Sequence, residues 1–287
     1  MNGYNKINTY AKLFSPANFK KVISNGDCST IVRKIEKYHA YHQKDSVKTY
    51  GEIINSLYRN MLHSYRNEYI YKNTIINKLL LGKHSTNTTT VLNEFRIGKS
   101  KADLLFINGQ VILYEIKSEY DNPDRLESQI IEYQKAVDQI YLVVGPKDTN
   151  YYLASNIPHT IGILELTNRG TLSTQRVATK TFGNLNHDIL FKLLRKDEYL
   201  SLINRFYSFV PNVPNTQIYR ECLRLSKSID IIEFQKLIFN KLKDRKLRDA
   251  IDFNSNRTPY ALKHVCYFSD PNQKEYQNLY SFLNMGA

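Results

Sequence analysis

An α/β fold is expected from three features of this sequence: helical spacing over 66–81, three short strand-like runs between 91 and 116, and a further helix and strand ending at Val144. In the first, Ile70, Ile75, Leu79 and Leu80 recur at helical spacing and Gly82 supplies a stop. Val91 to Ile97 then alternates, and Ala102 to Ile107 and Val111 to Ile116 are apolar runs flanking Asn108-Gly109, a hairpin signal. Asp121-Asn122-Pro123 offers a cap with proline in the first turn, after which Leu126, Ile130, Tyr133 and Val137 trace one helix face. Ile140 to Val144 reads as a strand closed by Gly145-Pro146, and Thr160 to Leu166 and Leu172 to Ala178 read as two more around the Asn168-Arg169-Gly170 turn. Helices are expected at Ser29 to His42 and Tyr50 to Tyr65, and mainly helices beyond His187, including Ile231 to Ile251. The division that follows is 1–65, a basic helical extension; 66–180, an α/β core; and 181–287, a basic, mainly helical region.

Charge follows the same division. The chain has 40 Lys plus Arg against 27 Asp plus Glu, a net +13. The surplus is +7 over 1–66, +1 over 67–180 and +5 over 181–287. A nearly neutral middle between basic flanks suits a core that concentrates carboxylates and flanks that neutralise phosphates, so nucleic acid is the expected partner. No run approaches the length of a membrane span and the polar start lacks a signal-peptide core, so a soluble, cytoplasmic protein is expected. Cys28, Cys222 and Cys266 are far apart and odd in number, which suits reduced, packed thiols.

The chemistry sits at the end of the third strand. Tyr114-Glu115-Ile116-Lys117 puts an acid and a lysine two residues apart, so both emerge on one face. Phosphodiester hydrolysis needs a metal held by hard oxygen ligands, charge stabilisation at the phosphate and an activated water. Asp103 and Glu115 are the expected ligands of Mg²⁺ or Mn²⁺, the Ile116 carbonyl completes the protein donors, and Lys117 orients or deprotonates the water. Geometry adds a condition. A two-residue Asn108-Gly109 loop would turn Asp103 and Glu115 to opposite faces, so a shared site requires an odd-length loop, such as 108–110 with Ile107 opposite Val111, or a bulge near Asp103.

Glu94, Ser100-Lys101-Ala102-Asp103, Tyr114-Glu115-Ile116-Lys117 and the helix carrying Gln129 and Tyr133 resemble the PD-(D/E)XK nuclease superfamily. Asn93-Glu94-Phe95-Arg96-Ile97-Gly98 through Leu142-Val143-Val144 is similar to a bacterial family of mostly uncharacterised nucleases within it, and the likeness runs over roughly 66–200. Ala102 stands where the motif has proline. The resemblance implies a helix, three-strand, helix, strand core with helical additions and divalent-metal phosphodiester hydrolysis, expected to be endonucleolytic and to act on DNA before RNA. Gln129-x-x-x-Tyr133 is similar to the Gln-x-x-x-Tyr motif that RecB-like members place beside the active site, which implies that Gln129 contacts a phosphate or the lysine and that Tyr133 contacts the nucleic acid. Glu68 lies on the stripe of Ile75 and Leu79 and should face the sheet, as a first-helix glutamate does in related nucleases. Glu94 competes with it as third acid, and either acid can instead pair with Arg96, Lys72 or Lys101.

Other chemistries are poorly supported. His39 and His42 stand one turn apart without completing a zinc set, no serine or cysteine has a partnered His-Asp arrangement, and no phosphate-binding Gly-Lys loop exists. Lys236, Lys241, Lys243, Arg245 and Lys246 crowd a helix whose other side carries Phe234, Ile238 and Leu242, and that helix either tracks a phosphate backbone or is a solvated face. A rival of another class is a nuclease fold without turnover, binding nucleic acid in a defence or mobile-element system.

Overall fold

A computed structural model describes residues 12–39 and 49–287 of the chain. His42 of the expected His39 and His42 imidazole pair lies outside the described residues. Six strands form one mixed sheet in chain order: β1 (Thr90–Ile97), β2 (Ser100–Ile107), β3 (Val111–Lys117), β4 (Gln139–Val144), β5 (Gly162–Leu166) and β6 (Leu172–Arg176). The first three are antiparallel, β3, β4 and β5 run parallel, and β6 returns antiparallel. The parallel step from β3 to β4 needs a crossover, which helix α5 (Leu126–Tyr133) supplies.

Strand alternation divides the interior into two cores. On one face Leu104, Phe106, Tyr114 and Ile116 pack with α1 (Pro16–Asn25), α2 (Ser29–His39), α3 (Tyr50–Ser64) and α4 (Glu68–Ile75). On the other, Leu105, Ile107, Leu113 and Leu142 pack with α5, α6 (Thr149–Ala154), α7 (His187–Phe191), α8 (Lys196–Tyr207), α9 (Asn215–Ser226) and α10 (Ile231–Lys243). Three short C-terminal helices, α11 (Ala250–Asn254), α12 (Lys263–Ser269) and α13 (Gln273–Asn284), return to the first face. There the Tyr50 amide donates to the Met285 carbonyl at 3.1 Å. Both basic flanks therefore share cores with the middle of the chain.

Three sequence expectations need correction. The helix expected to run to Val137 stops at Tyr133, whose carbonyl accepts from the Ala136 and Val137 amides in a closing turn. The helix expected over 231–251 stops at Lys243. Its Lys243 carbonyl accepts from the Thr90 hydroxyl at 2.8 Å, and Glu198 holds the Arg245 guanidinium at 2.7 Å. Finally, α4 continues from Ile76 to Leu80 as a π-turn, the Leu81 amide reaching the Ile76 carbonyl at 3.1 Å. Just beyond its end only glycine fits at position 82, because a β-carbon there would lie 2.6 Å from the Lys78 carbonyl oxygen.

Candidate carboxylate site

The hairpin joining β2 to β3 has the odd-length loop that a common site requires. Ile107 pairs with Val111 and Leu104 with Tyr114, leaving 108–110 as the loop, with Gly109 at φ +64°. The sheet is irregular one strand further out. Asn93 pairs with Leu104 and Phe95 with Ala102, but Glu94 and Asp103 between them break the ladder, with Glu94 at φ +53°. Ala102 joins the Leu105 core while Leu104 joins the opposite one, so side-chain alternation slips at Asp103. A glutamate in left-handed backbone costs on the order of 1 kcal/mol or more and persists only where its surroundings hold it.

That slip sends Asp103 toward α4 on the first face. Carboxylate oxygens of Glu68, Glu94 and Asp103 lie within 4.8 Å of one another. Sequence reading left Glu68 and Glu94 as competitors for one place, whereas the structure brings both to Asp103. In their midst is Lys72, which the sequence offered only as an ion-pair partner. Its ammonium is 2.5 Å from Glu68 and 3.4 Å from Asp103, and it also pairs with Glu94, which Lys101 contacts from outside. Burial acts to lower the Lys72 pKa, but the Asp103 and Glu68 carboxylates outweigh it and hold the ammonium above its usual value. Burial, offset only in part by Lys72, raises the Asp103 pKa. For Glu94 burial is outweighed by Lys101 and Lys72, and its pKa is lowered. The spacing of Glu68 and Lys72, four apart on a helix, was the available signal for the pair.

Glu115 and Lys117 form an adjoining group on the other side of β3. Glu115 lies outside the three-carboxylate group. One of its oxygens accepts from the Gln129 amide at 2.7 Å and the other from the Tyr133 hydroxyl at 2.9 Å. The Gln129 carbonyl oxygen in turn accepts from Lys117 at 2.9 Å, with the Glu115 carboxylate 3.4 Å from the ammonium. Burial and the Asp103 charge both raise the Glu115 pKa. The two groups are joined by backbone: the Ile116 amide donates to Asp103 at 2.8 Å, and Ile116 sits opposite Val143 in the parallel ladder. The Gln129-to-lysine contact is one the resemblance implied.

Two nucleic-acid contacts expected from sequence are corrected. Tyr133 is fully buried, so its hydroxyl serves Glu115 and the Lys101 carbonyl rather than a bound polymer. Arg245 is held by Glu198, and with Lys246 it lies beyond the end of α10, so the basic helix face is interrupted. Lys241 is half-buried and 3.7 Å from Asp244, while Lys236 stays exposed and Lys243 half-buried on the helix.

Fold and site together define a mixed α/β protein in which α4 and β1, β2 and β3 bring together a partly exposed cluster of acids and lysines. The family model "Bacteriophage P4 protein cII" matches residues 61–275, and the chain belongs to that family. The Protein cII of Enterobacteria phage P4 is 23% identical over 181 residues, which cover 61% of this chain and 67% of that protein. No solved structure matches the chain.

Proposed function

We propose that the chain is a divalent-metal-dependent nuclease with a PD-(D/E)XK-type core, cutting phosphodiester bonds within DNA in preference to RNA. The observation that carries this reading is the convergence of Glu68, Glu94 and Asp103 beside the Glu115, Lys117 and Gln129 group. The order of α4, three antiparallel strands, α5 and a parallel β4 is the one the resemblance implies. Anionic oxygens are the donors that Mg²⁺ and Mn²⁺ prefer, so the three carboxylates fit such an ion, with Lys72 displaced from among them. When bound, the ion supplies Lewis-acid stabilisation of phosphate charge and a more acidic water. Lys117, fixed by Gln129, orients the attacking water and donates to a phosphate oxygen. Glu115, gripped by Gln129 and Tyr133, holds Lys117 in place and adds negative charge near Asp103.

One observation favours a second reading. The Lys72 ammonium already neutralises the carboxylates as a metal would, which suits a nuclease fold that binds nucleic acid without turnover. Incubation with single-stranded, duplex and branched DNA and with RNA separates the two, using Mg²⁺, Mn²⁺ or EDTA. Cleavage of DNA only with metal supports the first reading. Binding with every polymer left intact supports the second.

A further inference from the structure

On the first face, away from the carboxylates, α3, the π-turn after α4, the β5–β6 turn and the turn at Tyr260 enclose an open pocket of about 570 Å³. Arg59, Lys78 and Arg169 line it, all exposed. Among the described residues Arg59 and Arg169 have no ion-pair or hydrogen-bond partner, and Lys78 has only the Tyr260 ring, 5.9 Å from its ammonium. Glu52 also lines the pocket, and its carboxylate accepts from the Thr49 amide at 3.0 Å. Three cations against one acid leave a positive site.

The walls are built rather than incidental. The Tyr260 carbonyl accepts from the Asn73 and Asn77 side chains of α4 and its π-turn at 2.9 and 3.2 Å, which fixes the backbone while the residue stays 40% exposed. Tyr58 braces that ring edge-on at 5.7 Å. Gly170, at φ +70°, lets the β5–β6 turn approach Leu62 of α3 so closely that a β-carbon would lie 2.9 Å from it, and this brings Arg169 to the pocket beside Arg59. The π-turn carries Lys78 to the same place.

We infer that this pocket binds single-stranded nucleic acid, with an unstacked base on the Tyr260 ring and backbone phosphates on Arg59, Lys78 and Arg169. The inference rests on the proposed function only for the class of polymer. An exposed aromatic face inside a ring of cations suits a strand whose bases are free to stack, whereas a duplex buries its bases and offers phosphates alone.

Fluorescence anisotropy with a labelled oligothymidylate and a duplex of equal length, both in EDTA, tests the inference without any cleavage. The intact chain should bind the oligothymidylate more tightly than the duplex. Arg59→Gln with Arg169→Gln should weaken that binding about tenfold and flatten the log–log salt slope by about 1.4, roughly 0.7 per lost phosphate contact. Tyr260→Leu should weaken it about tenfold with the slope unchanged. Arg169→Gln alone, in an exposed turn, still reads the pocket if Tyr260→Leu does not fold. Lys192→Gln, exposed just after α7 and on neither proposed surface, should change little. Wild-type affinity in the Arg and Tyr260 variants, equal loss from Lys192→Gln, or equal affinity for the duplex would overturn the inference. Loss of turnover in a chain that still binds through this pocket would instead overturn only the nuclease reading.

Discussion

Lys117 and Lys72 are both buried lysines beside acids, yet their surroundings give them different expected roles. Lys117 is held by one glutamine and one carboxylate, a grip that orients an ammonium toward a neighbour. Lys117→Ala should therefore reduce cleavage by roughly a hundredfold or more while leaving divalent-metal binding measurable by calorimetry. Wild-type turnover in a folded variant would remove Lys117 from the mechanism. Lys72 instead neutralises three acids. In Lys72→Met those acids lose their internal cation, so the metal-free protein should melt earlier and divalent ions should bind roughly tenfold more tightly. Unchanged metal affinity in that variant would mean that the ion and the ammonium do not share a place.

Among the elements, α12 carries the clearest titration. His264 is buried, packs against Tyr69 and Phe268, and among the described residues has no hydrogen-bond partner for either ring nitrogen. Burial, with Lys72 adding to it, lowers its pKa to about 3. An unfolded histidine titrates near 6.5, so below that pH the unfolded chain takes up a proton that the folded one refuses. This part of the stability is complete above about pH 6.5 and is lost progressively as pH falls toward 3. Melting temperatures measured across that window should fall more steeply for the wild type than for His264→Phe. Parallel curves would show that the imidazole is not held neutral.

The same scale shows what the sequence made legible. The β2–β3 register could be bounded in advance because Asn108-Gly109 and the apolar runs on either side restrict which loops bring Asp103 and Glu115 together. The slip at Asp103 could not, since Ala102 and Leu104 are both apolar and either face would accept them. Nor could the end of α10. It depends on Thr90 and Glu198, far away in sequence, and helical periodicity simply continues through residue 251. Gln129 was legible through a motif. The central place of Lys72 depends on how α4 sits against the sheet, which a single strand of sequence does not encode.

For the whole molecule the expectation is electrostatic. A net charge of +13 with both flanks basic should make nucleic-acid binding strongly salt-dependent. Affinity should fall about tenfold to a hundredfold between about 50 and about 200 mM salt, read by anisotropy on the full chain. A flat titration would exclude the phosphate contacts assigned to the surface. Deleting 231–251 would be a poor way to ask this, because Phe234, Ile238 and Phe239 of α10 are buried in the second core and their loss would unfold it. Single exposed cations are the appropriate probes. No helix among the described residues is long and apolar enough to cross a membrane.

The most direct test of the central claim pairs calorimetry with cleavage on one preparation, using wild type, Asp103→Ala and a denatured control. Asp103 is the residue that the three-carboxylate group and the Ile116 backbone share. If this site is a metal-dependent nuclease, the wild type should bind Mn²⁺ and cut DNA, and Asp103→Ala should lose both together while remaining folded. A folded Asp103→Ala protein that binds Mn²⁺ and cuts as the wild type does, or a wild type that does neither, would contradict the account.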